Sequence, residues 1–136
     1  MSREIKEEDK NKIREMLMLR AKNRKPLQYI LGEWEFYGLP FKVRENVLIP
    51  RPDTEILVEQ CIQLMREIEE PNILDIGSGS GAISIAIANE LKSSSVTGLD
   101  INEDAIRLAN ENKVLNKVEN VNFIKSDLFE KLDEDF

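Results

Sequence analysis

The chain has 136 residues, 41% of them hydrophobic and 33% charged, the composition of one ordinary globular domain with or without an added segment. Its formal net charge of -7 argues against broad binding to a phosphate backbone, which needs a basic surface, so no direct contact with nucleic acid is expected. One cysteine and no histidine exclude an internal disulfide, Ser-His or Cys-His catalysis and histidine metal sites; no metal is expected, and a reducing, cytoplasmic compartment fits.

The first stretch, Ser2 to about Ala21, is too charged for a secretory signal and reads as an amphipathic helix. Ile5, Ile13, Met16, Leu17 and Leu19 supply its irregular apolar stripe. Arg20, Lys22, Arg24 and Lys25 come next, either complementing the helix dipole or forming a patch for an acidic or RNA-rich partner. Pro26 restarts the chain, and Leu27 to Leu31 suit a short helical turn stopped by Gly32. From Trp34 the pattern is a β-hairpin or small meander, continuing through Phe41 and Val43 to Val47, Leu48 and Ile49. Trp34, Phe36, Tyr37 and Phe41 are expected to form a mini-core that holds the first helix to the next domain. Pro50 and Pro52 stiffen the next approach, and Asp53 or Thr54 can cap a helix burying Leu57, Cys61, Leu64 and Ile68. Cys61 then reads as a small core residue, not a nucleophile.

The most informative stretch runs from Ile73 to Ala88. Ile73, Leu74 and Ile76 predict a buried strand of a parallel sheet covered on both faces. Gly77, Gly79 and Gly81 allow a sharp turn and close approach of a ligand. Ile83, Ile87 and Leu91 mark one face of the next helix, whose first N–H groups suit a polar or anionic ligand. A strand from Val96 to Leu99 closes on Asp100. A helix to about Leu115 turns Ala105, Leu108 and Ala109 inward, and a strand from Val121 to Ile124 leads to Asp127. The order β-α-β-α-β predicts a doubly wound parallel sheet with its ligand beyond the strand carboxyl ends, where Asp75, the glycines, Asp100 and Asp127 converge. No apolar run approaches the length of a membrane span. Gly77, Gly79 and Ala82 also satisfy a dinucleotide-binding spacing, but three strand-end acids suit a neutral or cationic nucleoside better than a pyrophosphate.

Two blocks resemble a known family. One is Pro26-Leu27-Gln28-Tyr29-Ile30-Leu31-Gly32-Glu33-Trp34-Glu35-Phe36-Tyr37-Gly38-Leu39, continuing through Val47-Leu48-Ile49-Pro50-Arg51-Pro52-Asp53-Thr54-Glu55. The other is Leu74-Asp75-Ile76-Gly77-Ser78-Gly79-Ser80-Gly81-Ala82-Ile83. They are similar to the HemK/PrmC family of S-adenosylmethionine-dependent glutamine methyltransferases, which act on peptide-chain release factors. The resemblance implies an α/β, class I methyltransferase, Rossmann-like parallel sheet, of which this chain holds the first three strands. It divides the chain into the end of a helical region (1–25), a hairpin linker (26–52) and the N-terminal half of the cofactor-binding domain (53–136). The implied activity is methyl transfer from S-adenosylmethionine to the side-chain amide nitrogen of a release-factor glutamine.

The resemblance also implies a site. Gly77, Ser78, Gly79, Ser80 and Gly81 would face the amino-acid part of the cofactor, with Asp75 beneath the loop, as ligand contact or as a brace only. Asp100 would accept both ribose hydroxyls, or cap the next helix, or do both, with Ile101 beside it. Asp127 and Leu128 would sit at the adenine, and Pro50, Arg51, Pro52 and Thr54 would rim the site. The family's catalytic motif, Asn-Pro-Pro-Tyr, is absent, and no Asn-Pro dipeptide occurs in the 136 residues. The expectation is therefore an internal piece of a longer enzyme or a truncated gene product, with little or no transfer activity alone and an uncovered sheet edge prone to self-association. Other readings stay open: a methyltransferase of another protein or of a nucleic-acid base, a non-catalytic cofactor- or partner-binding module and, more distantly, a nicotinamide-binding module.

Overall fold

The computed structural model describes residues 4–133, so the expected helix start at Ser2 and the last residues of the 53–136 unit lie outside the described residues. The first helix, α1, spans Glu7–Asn23, with Glu7, Glu8 and Asp9 in its first turn and Arg20 and Lys22 in its last, each sign favourable to the dipole. Its apolar stripe is left mostly exposed, with only Met16 half-buried. No residue of α1 is buried, and Leu17 stays 61% exposed. The short α2, Leu27–Leu31, ends on Gly32 at φ 74, whose N–H donates to the Gln28 carbonyl.

Strands β1 (Glu33–Phe36) and β2 (Leu39–Lys42) form an antiparallel hairpin. Its turn residues, Tyr37 and Gly38, have φ 50 and 72, the two positive values that match the twist of a tight hairpin. No third strand forms at Val47 to Ile49, so the element is a hairpin and not a meander. Tyr29 Oη instead donates to the Val47 carbonyl at 2.7 Å. The aromatic mini-core also needs correction. Phe36 and Phe41 meet edge to face, 6.1 Å between centroids, inside the main core with Val58, Ile62, Ile85 and Ala86. They fasten the hairpin to the sheet domain, while α1 packs on α2 and Trp34 remains outside the cluster.

A short 3-10 turn, Pro52–Thr54, runs straight into α3, Glu55–Met65. Thr54 is already helical, so neither Asp53 nor Thr54 caps α3 with its side chain. The buried residues of α3 are Val58 and Ile62; Leu57, Leu64 and Ile68 are exposed and Cys61 is half-buried. The expected face is rotated because Ile56, Leu57, Val58, Cys61, Ile62, Leu64 and Met65 leave few polar positions to orient the helix. Packing against the next helix selects the Val58–Ile62 side.

Strands β3 (Asn72–Ile76), β4 (Ser95–Asp100) and β5 (Val121–Lys125) make a parallel sheet in the order β3-β4-β5, with Ile73 opposite Val96 and Val96 opposite Val121. Having one neighbour, β3 is not covered as expected: Ile73 and Leu74 are half-buried and Ile76 is 47% exposed. Helix α4, Ala82–Glu90, is buried nearly all round through Ala82, Ser84, Ile85, Ala86, Ile87 and Ala88. Of its predicted face, Ile87 is buried, whereas Ile83 and Leu91 are half-buried. Helix α5, Glu103–Leu115, turns Ala105, Leu108 and Ala109 inward as expected. Its cap is Asn102, whose side chain accepts from the Asp104 N–H at 2.9 Å, so Asp100 is left for other partners.

One position in β4 fixes how closely these layers approach. A Cβ on Gly98 would lie 2.5 Å from the Phe123 ring and 2.9 Å from Ser78 Cβ. Gly98→Ala is expected to lower stability by about 2 kcal/mol through overpacking, read as a shifted urea midpoint. An unchanged midpoint would mean that Phe123 yields without cost.

Candidate functional site

The site is built where β3 ends. Gly77 and Ser78 both donate their N–H groups to the Leu99 carbonyl, each at 2.8 Å, and Gly81 donates to the Ser78 carbonyl at 2.8 Å. The five residues from Gly77 to Gly81 are thus a folded loop tied to β4. Its glycines do different work. At Gly77 and Gly79, both at positive φ, the space where a Cβ would project is open. Gly81, at φ 82, is closed in, and a Cβ there would lie 2.7 Å from Phe123 Cζ. The first two leave the backbone approachable, and the third lets the loop seat on the core. Helix α4 then begins at Gly81 with no side-chain cap from that residue.

Two carboxylates flank the loop, one bonded to it and one to the helix that follows. Asp100 Oδ2 accepts the Gly79 N–H at 2.9 Å, and Oδ1 accepts the Asn102 N–H at 2.9 Å. A carboxylate has about four acceptor positions, so about two remain at the half-exposed Asp100. Asp75 is turned toward α4 and accepts from Ser84 Oγ at 2.6 Å. Burial pushes the Asp75 carboxyl above the usual aspartate range; hydrogen bonds from the Ser84 side chain and backbone oppose this, and the nearby Asp100 charge adds to it. Cys61 is likewise raised by burial and then by the Asp75 charge, which disfavours the thiolate a nucleophile would need.

Facing the loop is the Pro50 segment. A cavity of about 120 Å³ lies between them, with Phe36, Leu48, Pro50, Arg51 and Thr54 on one wall and Gly77 to Ser80 on the other. Pro50, Arg51 and Thr54 thus meet Gly77 to Ser80 here, whereas Pro52, Asp75, Gly81, Asp100 and Ile101 do not line this cavity. Ser78 Oγ, in the loop wall, is buried and has no hydrogen-bond partner among the described residues. A buried hydroxyl without a partner is costly in a finished core, and this one lies in the wall of the cavity. Arg51 and Asp53 are exposed, with 3.7 Å between Arg51 Nε and Asp53 Oδ1.

Asp127 and Leu128 are not part of this cavity. They stand on the next stretch of rim, which is tied to β4 by the Ser126 N–H donating to the Asp100 carbonyl at 3.0 Å. Asp127 is exposed, and Leu128, 58% exposed, takes a left-handed φ of 48 with its carbonyl accepting from Ser126 Oγ. Such a backbone is uncommon for leucine and is held here by that side chain. Ile101, next to Asp100 in the chain, is exposed.

Sequence reasoning missed Ser84, Gly98 and Phe123, which support the loop, and Asn112 of α5, which reaches it. Asn112 had a signal: it continues the inward series Ala105, Leu108, Ala109 with a polar residue.

Residues 68–136 match a family model described as a methyltransferase domain. The whole chain is 87% identical, over 136 residues, to 38% of a release factor glutamine methyltransferase from Fusobacterium nucleatum. Over 127 residues, 90% of the chain, it is 45% identical to 44% of the protein of that name from Flavobacterium psychrophilum. The chain thus spans less than half the length of these curated relatives. Among solved structures, Trm5b of Pyrococcus abyssi superposes with a TM-score of 0.60 and 28% identity, over 73% of this chain and 29% of that one.

Because burial raises Asp75, the folded protein holds a proton that the unfolded chain has already released. Stability therefore falls as pH rises from the unfolded value, about 3.9, toward the elevated folded one. Asp75→Asn keeps an oxygen for Ser84 Oγ and should lose this slope, melting higher than wild type at neutral pH. Thermal midpoints across a pH series decide, and a mutant with the wild-type slope would acquit Asp75.

Proposed function

The chain belongs to the methyltransferase-domain family, and from that premise we propose that it forms the cofactor-holding part of a cytoplasmic release factor glutamine methyltransferase. Its cofactor would be S-adenosylmethionine and its protein substrate a peptide-chain release factor, methylated on the amide nitrogen of a glutamine. The observation that carries this reading is 87% identity along all 136 residues to a protein of that name. The residues of the site fit the cofactor. Two glycines leave backbone open, Ser78 Oγ is buried without a partner among the described residues, and Asp100 keeps acceptor positions on the rim. When bound, the cofactor supplies an electrophilic methyl group on a sulfonium.

The chain's own part is binding and orientation. Asp100 would accept hydrogen bonds from the ribose hydroxyls with its remaining lone pairs, with Ile101 beside it. Leu128 offers an apolar surface for the adenine next to Asp127, and the loop from Gly77 to Gly81 would follow the amino-acid tail. Pro50, Arg51, Pro52 and Thr54 would rim the approach, the prolines limiting its freedom. An amide nitrogen is a weak nucleophile because its lone pair is delocalised, so much of the catalysis would be alignment for in-line displacement. The amide acceptors that the family resemblance implies are absent from these 136 residues, so the role proposed for them is holding the cofactor in place.

Calorimetric titration of the chain with S-adenosylhomocysteine should show binding that Asp100→Ala abolishes while the fold, by circular dichroism, survives. A folded wild-type chain that takes up no ligand would overturn the reading. We also infer that copies pair along β3, an edge strand in this sheet. Sedimentation at high concentration should show dimers or larger species, and a clean monomer would refute this.

A further inference from the structure

Asn112 is wholly buried, and its side chain makes three hydrogen bonds to two distant segments. Its Oδ1 accepts the Lys42 N–H at 2.7 Å, and its Nδ2 donates to the Lys42 carbonyl at 3.1 Å and to the Ser80 carbonyl at 2.9 Å. The amide orientation is forced. Turned over, its oxygen would face two carbonyls and its NH2 would face an N–H. Toward Lys42 the amide acts as one rung of a β-ladder, pairing both backbone groups of one residue, and its remaining hydrogen goes to the glycine loop.

One attachment, Ser80, lies in the loop wall of the cavity, and the other, Lys42, lies in the hairpin that carries the facing wall, outside the cavity lining itself. Lys42 ends β2, whose hairpin partner β1 carries Phe36 and whose chain continues to Leu48, Pro50 and Arg51; Ser80 belongs to the loop wall. Two polar neighbours, Glu111 of α5 and Asn116 just after it, hydrogen-bond to the hairpin side and not to the loop. Asn116 Nδ2 donates to the Pro40 carbonyl at 2.9 Å, and Glu111 pairs with Arg44 and, at 3.6 Å, with Lys42. Among the described residues, Asn112 is the one whose side chain bridges β2 and the loop.

We propose that Asn112 is a positioning residue that fixes the distance between the two walls of the cavity and holds the glycine loop in its binding shape. It is too deeply buried to serve as a ligand contact itself. Its effect on binding passes through the Ser80 carbonyl, and thereby through the Gly79 and Gly81 amides on either side.

Two measurements test this, and only the second rests on the function proposed above. The first is amide hydrogen exchange of the 136-residue chain, with core amides such as Ile85 as the internal reference. Asn112→Asp keeps the acceptor for Lys42 but removes the donor to Ser80. Lys42 should stay protected in that variant, while Gly79 and Gly81 exchange about tenfold faster, the effect of losing one hydrogen bond to a buried carbonyl. Asn112→Ser, which is neutral and too short to bridge, serves if the buried carboxylate prevents folding; it should loosen the loop and Lys42 together. Asn116→Ala, which frees only Pro40, should leave the loop at its wild-type rate. The second measurement is S-adenosylhomocysteine affinity, expected to fall about tenfold in the Asn112 variants and to hold in Asn116→Ala. Wild-type exchange at Gly79 and Gly81 in the Asn112 variants, or equal loosening by Asn116→Ala, would overturn the positioning role. Should wild type bind no ligand, the functional reading fails and exchange alone still decides for or against Asn112.

Discussion

The Leu99 carbonyl is the fixed point of this structure. It accepts two successive N–H groups, from Gly77 and Ser78, where the chain leaves β3. A glycine loop left to itself would be an ensemble, because glycine loses more conformational freedom on ordering than any other residue. Here the loop is stitched to the neighbouring strand at its first two residues, to its own Ser78 carbonyl at the last, and to Asp100 in the middle. Leu99 can do this because it sits in β4, between two strands, with its side chain 1% exposed. A surface prepared for a small ligand is thus anchored to the stiffest part of the sheet, and the freedom of glycine is used for approach instead of motion.

Asparagines carry much of the remaining order, each in place of backbone pairing. Asn120 Nδ2 lies within hydrogen-bond distance of the carbonyls of Ala88, Leu91 and Ser94, tying the end of α4 to the start of β4. Asn102 caps α5 and also donates to the Asn46 carbonyl. Asn112 and Asn116 do the same for the hairpin. The short amide is suited to this, since it offers both donor and acceptor at the reach of a peptide group. The hairpin therefore belongs mechanically to the sheet domain. Its aromatic residues enter the same core, and its polar edges are closed by α5. Helix α1, with no buried residue, contributes nothing to that core.

How much of this was legible in the sequence depends on the range of the forces involved. The loop, the strand–helix alternation and the hairpin turn were readable because glycine, proline and short periodicities act locally. The meeting of the Pro50 segment with the loop was readable only through the family resemblance. The face of α3 was misread, since apolar residues on several sides give more than one consistent stripe and only α4 chooses among them. The support beneath the loop was not readable at all. Lys42 and Asn112 are 70 positions apart, and neither Gly98 nor Phe123 carries a local mark of the close contact they share. Asn112 was the exception: a polar residue in register with a buried apolar series signals either an error in the helix or a group with a buried partner.

The two inner acids divide their work by environment. Asp75 and Asp100 are close enough for the charge of one to disfavour that of the other. Were both to face a ligand, the rim would carry two negative charges and repel any anionic group. Burial instead turns Asp75 to Ser84, where it braces α4 at the cost of a raised pKa. Asp100 is left on the rim with two backbone N–H donors already satisfying part of its charge. A carboxylate so placed accepts hydroxyl protons well and phosphate poorly, since the same oxygens that welcome a donor repel an anion. The G-x-G spacing therefore cannot by itself distinguish the ligands it is able to hold; Asp100, with lone pairs left at the end of the neighbouring strand, adds an acceptor for hydroxyl donors beside the loop.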